Sequence, residues 1–234
     1  MSSNADGQVM QYTVAQNVPL LTQKNEIRLS ATTGSETYGF QGAYALTNAL
    51  ALIGGYSNGV NDVSIRNSWE FAIGYFESNE NSPFEIYCGA ERYYRNFTAW
   101  SDPLVHSIPS EIIRTHCTIP FVQLDAITYN ARSQRFTGSF KIGYVIYDHF
   151  SSTEFSANGA PNTSQAIPNS APFFEPCITY RLGLHKVSFQ AQMGLTFQTT
   201  MTNFDAPLNF FMNFGLSLKL FGHIRPKITP AKNS

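Results

Sequence analysis

Charge is the first thing this sequence lacks. Its 234 residues include 15 Lys+Arg and 16 Asp+Glu, 13% of the chain, about half the quarter usual in a soluble domain. The net charge of −1 leaves no basic excess to neutralise phosphates, which excludes a dedicated nucleic-acid binder. Long apolar runs are missing too. The longest, roughly residues 49–56, falls far short of the ~20 residues of a spanning helix. Cysteine is sparse: Cys88, Cys117 and Cys177 are odd in number and widely spaced, so no disulfide framework is expected. No Cys/His cluster has zinc spacing, and GxSxG, HExxH, P-loop and GxGxxG are all absent. No metal, no cofactor and no catalytic residue is therefore predicted. Residues 1–7 are polar and lack the apolar segment of a signal peptide, so the reading is a cytosolic chain or one whose targeting segment has been removed.

Aromatics, by contrast, are plentiful: 14%, with 19 Phe and 12 Tyr. Mean hydropathy is nevertheless only −0.17, because Asn, Ser, Thr, Gln and Gly fill many remaining positions. That balance excludes disorder. It also has a pattern. From residue 26 to 221 apolar and polar residues alternate with period two, the signature of half-buried strands. Residues 187–198, VSFQAQMGLTFQ, set Val187, Phe189, Ala191, Met193, Leu195 and Phe197 against Ser188, Gln190, Gln192, Gly194, Thr196 and Gln198. Ten such strands are predicted, with no helix. Tight turns are expected at 47–48, 78–82, 130–135 and 184–186, and long loops at 58–67, 94–118 and 149–172. Short turns at one end and long loops at the other match a transmembrane β-barrel.

The apolar face could point inward, as in a soluble lipocalin-type barrel, or outward into lipid. The charges favour lipid. A solvated exterior carries many Lys and Glu, whereas the polar face here is mostly small and neutral, and the apolar face would overfill a ten-strand interior. The predicted fold is a ten-stranded antiparallel transmembrane β-barrel, residues 26–221. A periplasmic N-terminal extension (1–25) and a periplasmic C-terminal tail (222–234) flank it. The lumen is expected to hold a packed polar network of Glu26, Arg28, Glu70, Glu85, Glu91, Asp125, Lys141, Glu175, Arg181 and Lys219, with the four bases paired to acids, since lone buried charges are costly. Tyr38, Trp69, Tyr75, Tyr144 and Tyr180 are candidates for interfacial girdles.

Residues 16–33, QNVPLLTQKNEIRLSATT, are similar to the N-x-P-L-[LF]-x-[EK]-K-[GN]-E opening of small outer-membrane barrels of Bacteroidota, with Gln23 departing from the pattern. AYALTN at 43–48 and FFEPCITYRLG at 173–183 resemble later motifs of that family. The resemblance implies the bacterial outer membrane, a removed signal peptide and, in many members, a lipoprotein-like acylated Cys, although no Cys here precedes Cys88. It also implies a subunit role in larger outer-membrane machines for assembly, secretion or uptake. The expected partners are outer-membrane lipids and a protein in the same membrane. Arg92, Tyr94, Arg95, Phe97 and Trp100, combining aromatics with arginine, are the candidate partner-binding loop. Alternatives are a small transport or ligand-binding barrel and a barrel hydrolase. The hydrolase would draw on His106, His116 or His149 with Ser101, Asp102, Ser107, Ser110 or Asp148.

Overall fold

The computed structural model describes residues 15–34, 37–61, 64–77, 84–100, 109–130, 133–155, 161–164, 170–184, 186–198 and 208–220. The strands are β1 (Ile27–Gly34), β2 (Thr37–Ala45), β3 (Leu50–Asn61), β4 (Ser64–Phe76), β5 (Phe84–Trp100), β6 (Pro109–Asn130), β7 (Gln134–Phe155), β8 (Pro161–Ser164), β9 (Ala171–Gly183), β10 (Val187–Gln198) and β11 (Leu208–Leu220). Each pairs antiparallel with its neighbours. The β1–β11 ladder, Ile27 opposite Leu220 through Gly34 opposite Asn213, and the β6–β7 ladder close ten of them into a barrel. Four-residue β8 adds only to the far end of β7.

The alternation decides which way each face points. On β10, Gln190, Gln192, Thr196 and Gln198 are buried, while Val187, Phe189, Met193 and Phe197 are exposed. On β4, Ser64, Ser68, Ala72 and Phe76 face in, and Trp69, Phe71, Ile73 and Tyr75 face out. A belt of exposed apolar side chains rings the barrel, with Leu29, Phe40, Leu50, Phe71, Leu124, Phe140, Ile178, Phe210 and Leu216 among its members. Phe71 and Phe210 are 62% and 61% exposed. A soluble monomer rarely shows contiguous apolar area beyond a few hundred Å², so hydrocarbon is the solvent of this face. No helix among the described residues is long and apolar enough to cross a membrane; the strands cross it. Tyr38, Trp69, Tyr75 and Tyr144 lie exposed on the outer face. Tyr180 is half-buried, its ring 4.7 Å from that of Phe136.

Loop lengths differ from expectation. β3 and β4 run almost to a two-residue connection at 62–63. The predicted loop 94–118 is mostly strand: β5 has 17 residues and β6 and β7 have 22 each. A strand of that length, rising ~3.3 Å per residue and tilted ~45°, climbs roughly 50 Å, against an apolar band of ~25 Å. β1 and β2, at 8 and 9 residues, climb only about 20 Å at the same rise and tilt, no more than the band itself. One wall of the barrel, β5–β7, therefore stands tall above a low rim. Alternation failed as a guide there because neither face of the tall wall meets hydrocarbon.

Candidate functional site: a strapped lumen

Polar side chains alone do not fill the lumen. Aromatic side chains fill much of it, several lying over a glycine on the next strand. Phe173 of β9 sits against Gly143 of β7, where a Cβ would fall 2.3 Å from its ring and 2.6 Å from the Pro120 carbonyl oxygen. Phe211 of β11 covers Gly194 of β10 in the same way. Phe76, Tyr87, Tyr93, Ile119, Phe121 and Phe173 join one buried cluster.

Around that cluster lie the charges. Glu26, Arg28, Glu85, Glu91, Asp125, Lys141, Glu175 and Arg181 are all buried, and Glu70 and Lys219 are half-buried. Lys141 Nζ lies 2.6 Å from Glu70 and 3.2 Å from Glu91, and 4.1 Å from the Phe121 ring centroid. Glu70 and Glu91 stand directly opposite each other on β4 and β5, an unfavourable placement for like charges that Lys141 offsets. Glu26 takes Arg28 at 2.6 Å and Lys219 at 3.0 Å. Arg181 departs from the expected pairing: among the described residues it donates to the Gln190 amide oxygen and the Val18 carbonyl, not to a carboxylate. Glu85, Asp125 and Glu175 also take no base among the described residues. Gln123 donates to Asp125 at 2.9 Å, and Thr196 to Glu175 at 2.9 Å.

The missing partner is the chain's own N-terminal segment. Residues 1–25 were expected to hang below the barrel. Residues 15–21 instead run inside it, all buried, while residues 1–14 lie outside the described set. Near the turn end of the barrel, Glu85 accepts the backbone N–H of Leu20 at 3.0 Å and of Leu21 at 2.5 Å. Leu20 has φ of 55°, a left-handed conformation that a bulky residue rarely adopts. It turns two successive N–H groups onto one carboxylate, the geometry of an anion-binding nest. Higher up, four consecutive carbonyls each find a donor on a different strand. Arg181 of β9 donates to Val18, Gln123 of β6 to Asn17 at 2.7 Å, Gln192 of β10 to Gln16 at 2.8 Å, and Gln41 of β2 to Ala15 at 2.5 Å. The Gln16 amide donates to the side chain of Glu175 at 2.9 Å, and the Asn17 amide to the carbonyls of Gly42 and Gly54. Buried main-chain groups away from water need such partners, and here the lumen side chains supply them. A cavity of about 20 Å³ beside Ala15, with Gln41, Ser57, Ser68 and Glu70 in its lining, is large enough for about one water.

The strap leaves its signal in the sequence on the strands that hold it. Four inward glutamines on three strands, Gln41 of β2, Gln123 of β6 and Gln190 and Gln192 of β10, exceed what can pair among themselves and require carbonyls from elsewhere.

The second candidate site lies on the tall wall. Arg92, Tyr94, Arg95, Phe97 and Trp100 belong to β5, not to a loop. Arg92 and Tyr94 share the outward face, and Arg95, 5.0 Å from the Phe97 ring centroid, shares the inward one with Phe97. A bulge skips Asp148 in the β6–β7 ladder and re-aims its side chain. Arg92 Nη1 then reaches Asp148 and Thr118, each at 2.7 Å. Tyr94, His116 and His149 stack edge to face beside them, with centroids 4.8 and 5.7 Å apart. Asp148 is thus held by Arg92 and Thr118. Ser110 lies at the start of β6, and Ser101, Asp102, His106 and Ser107 lie outside the described residues. Cys117 and Cys177 are buried and Cys88 is exposed, and none of the three is in a disulfide. Among the described residues no three His, Cys, Asp or Glu converge on a metal-sized site.

No protein-family model and no curated protein matches this sequence. Solved structures do match the fold. The outer-membrane protease OmpT from Escherichia coli superposes with a TM-score of 0.56 over 85% of this chain and 98% of that one, at 10% identity. The translocator domain of the autotransporter NalP from Neisseria meningitidis gives 0.40 over 83% and 85%, at 9% identity. The β domain of the Bordetella autotransporter BrkA gives 0.40 over 84% and 99%, at 8% identity. At such identities the likeness concerns architecture alone: this chain has the fold of a bacterial outer-membrane β-barrel.

Proposed function

We propose that this chain is a non-enzymatic, non-conducting barrel of the bacterial outer membrane that acts as a structural or interaction subunit of a larger assembly there. One observation carries the reading: residues 15–21 run through the lumen, with their carbonyls and N–H groups tied to β2, β5, β6, β9 and β10. A transport barrel needs an open bore, and this one holds the strap, buried aromatics and hydrogen-bonded charges. With the bore closed, the surface left for work is the tall β5–β7 wall, where Arg92 and Tyr94 of β5 offer the residue types common at binding hot spots. The resemblance to Bacteroidota outer-membrane proteins supports the same role.

Planar-bilayer recording of the purified full chain tests the seal, with no steady channels expected; stable open conductance would favour the transport alternative. Detergent extraction of the native protein, with identification of what co-purifies, tests the subunit role. Copies with Arg92→Ala and Tyr94→Ala should lose the partner while keeping the folded barrel. Protease and lipase assays with His149→Ala address the hydrolase alternative: activity lost with that substitution would overturn the non-enzymatic reading.

A further inference from the structure

The strap is held as a ligand is held. The barrel closes through its own ladders, β1–β11 and β6–β7, and the strap belongs to none of them. It meets side chains. Six of its contacts are to main chain, which any peptide offers: the carbonyls of residues 15–18 and the N–H groups of Leu20 and Leu21. Three features add selectivity. Glu175 reads the Gln16 amide. The carbonyls of Gly42 and Gly54 read the Asn17 amide. The buried cluster of Ala45, Phe76 and Tyr87 includes Leu21. The covalent tie to β1 is a short turn in which Lys24 and Asn25 are exposed.

From this arrangement we infer that the lumen is a binding site for one extended peptide. Its resident ligand is the chain's own segment 15–21, and it accepts in trans a segment of the same chemistry: two amide side chains followed, after one residue, by Pro-Leu-Leu. This inference rests on the sealed-lumen reading above. A single hydrogen bond adds little net stability, so the site's affinity is spread over many contacts, and no single one is decisive.

The test is to cut the tie after folding. A protease recognition sequence inserted between Lys24 and Asn25 lets the full-length, folded protein be nicked in detergent. The expected result is that the fragment ending at Lys24 stays with the barrel through size-exclusion chromatography. It should exchange with excess synthetic peptide of residues 15–23, and Gln123→Ala should speed its release about tenfold, as loss of roughly 1.4 kcal/mol would. Prompt loss of the fragment, with no uptake of the fluorescent peptide, overturns the inference. Conductance of the uncut protein separates the two readings. A closed uncut barrel that loses its fragment and rebinds nothing leaves the seal standing and removes only the receptor. A variant lacking residues 1–21 gives an independent measurement: the added peptide should block its channels, and failure to block them counts against the site.

Discussion

At membrane level every side chain has one of two surroundings, hydrocarbon outside or a packed lumen inside. On the upper part of β5–β7 both faces carry mixed residues, such as Tyr93, Arg95 and Phe97 on one side of β5 and Tyr94, Asn96 and Thr98 on the other. The lower region shows how a barrel is specified when the two faces meet different solvents; the upper shows what strands look like when they do not. The energetics differ in parallel. Lys141 and Glu91 are buried and Glu70 is half-buried, whereas Arg92 and Asp148 are 53% and 37% exposed. The same ion-pair chemistry should therefore count heavily in one place and barely in the other.

The sharpest way to break the contrast is Lys141→Met. It leaves Glu70 and Glu91 facing each other with no cation, and removing one partner of a buried ion pair costs about 3–5 kcal/mol. A large drop in the urea midpoint of the folded barrel in detergent is expected, and an unchanged midpoint would show that the lumen is wetter than its geometry indicates. Gly143→Val comes next. Its side chain would meet the Phe173 ring and the Pro120 carbonyl, and overpacking costs about 1–3 kcal/mol; reduced folded yield on heat-modifiability gels is the readout. Glu85→Ala strips the acceptor from Leu20 and Leu21, an expected loss of about 1–3 kcal/mol for buried donors left unmet, together with faster hydrogen exchange confined to residues 15–21. Arg92→Ala should be smallest, within about 1 kcal/mol for an exposed pair. If it destabilised the barrel as much as Lys141→Met, the division into two regions would fail.

The same division explains what could be read in advance. Strand identity and the inward face of β10 followed from strict alternation across VSFQAQMGLTFQ, because a one-residue slip would turn every side chain around. The lengths of β5–β7 did not follow, since no contrast of solvents marks where a strand leaves the membrane. Nor did the strap. Residues 15–21 have no period, and their partners lie far along the chain: Gln16 meets Glu175, 159 positions away. An extended segment recognised through its main chain leaves its trace on the receptor, as inward Gln41, Gln123 and Gln192, and hardly any on itself. The expected pairing of acids with bases held for Arg28, Lys141 and Lys219 and missed Arg181 for the same reason: a carbonyl of residue 18 is invisible to a count of charges.

Where the strap is tied has a consequence for access. Asn25 donates its N–H to the Ala45 carbonyl and Ala45 donates to Glu26, so the tether is fastened at the foot of β1, and β1 is one side of the β1–β11 seam. Polar backbone cannot be drawn sideways through a closed wall facing lipid, so once that seam has closed residues 15–21 can enter or leave only along the barrel axis. Closure of the seam therefore leaves the barrel ends as the route to the site. The foot of β1 works as a tether that keeps the segment beside one of those ends.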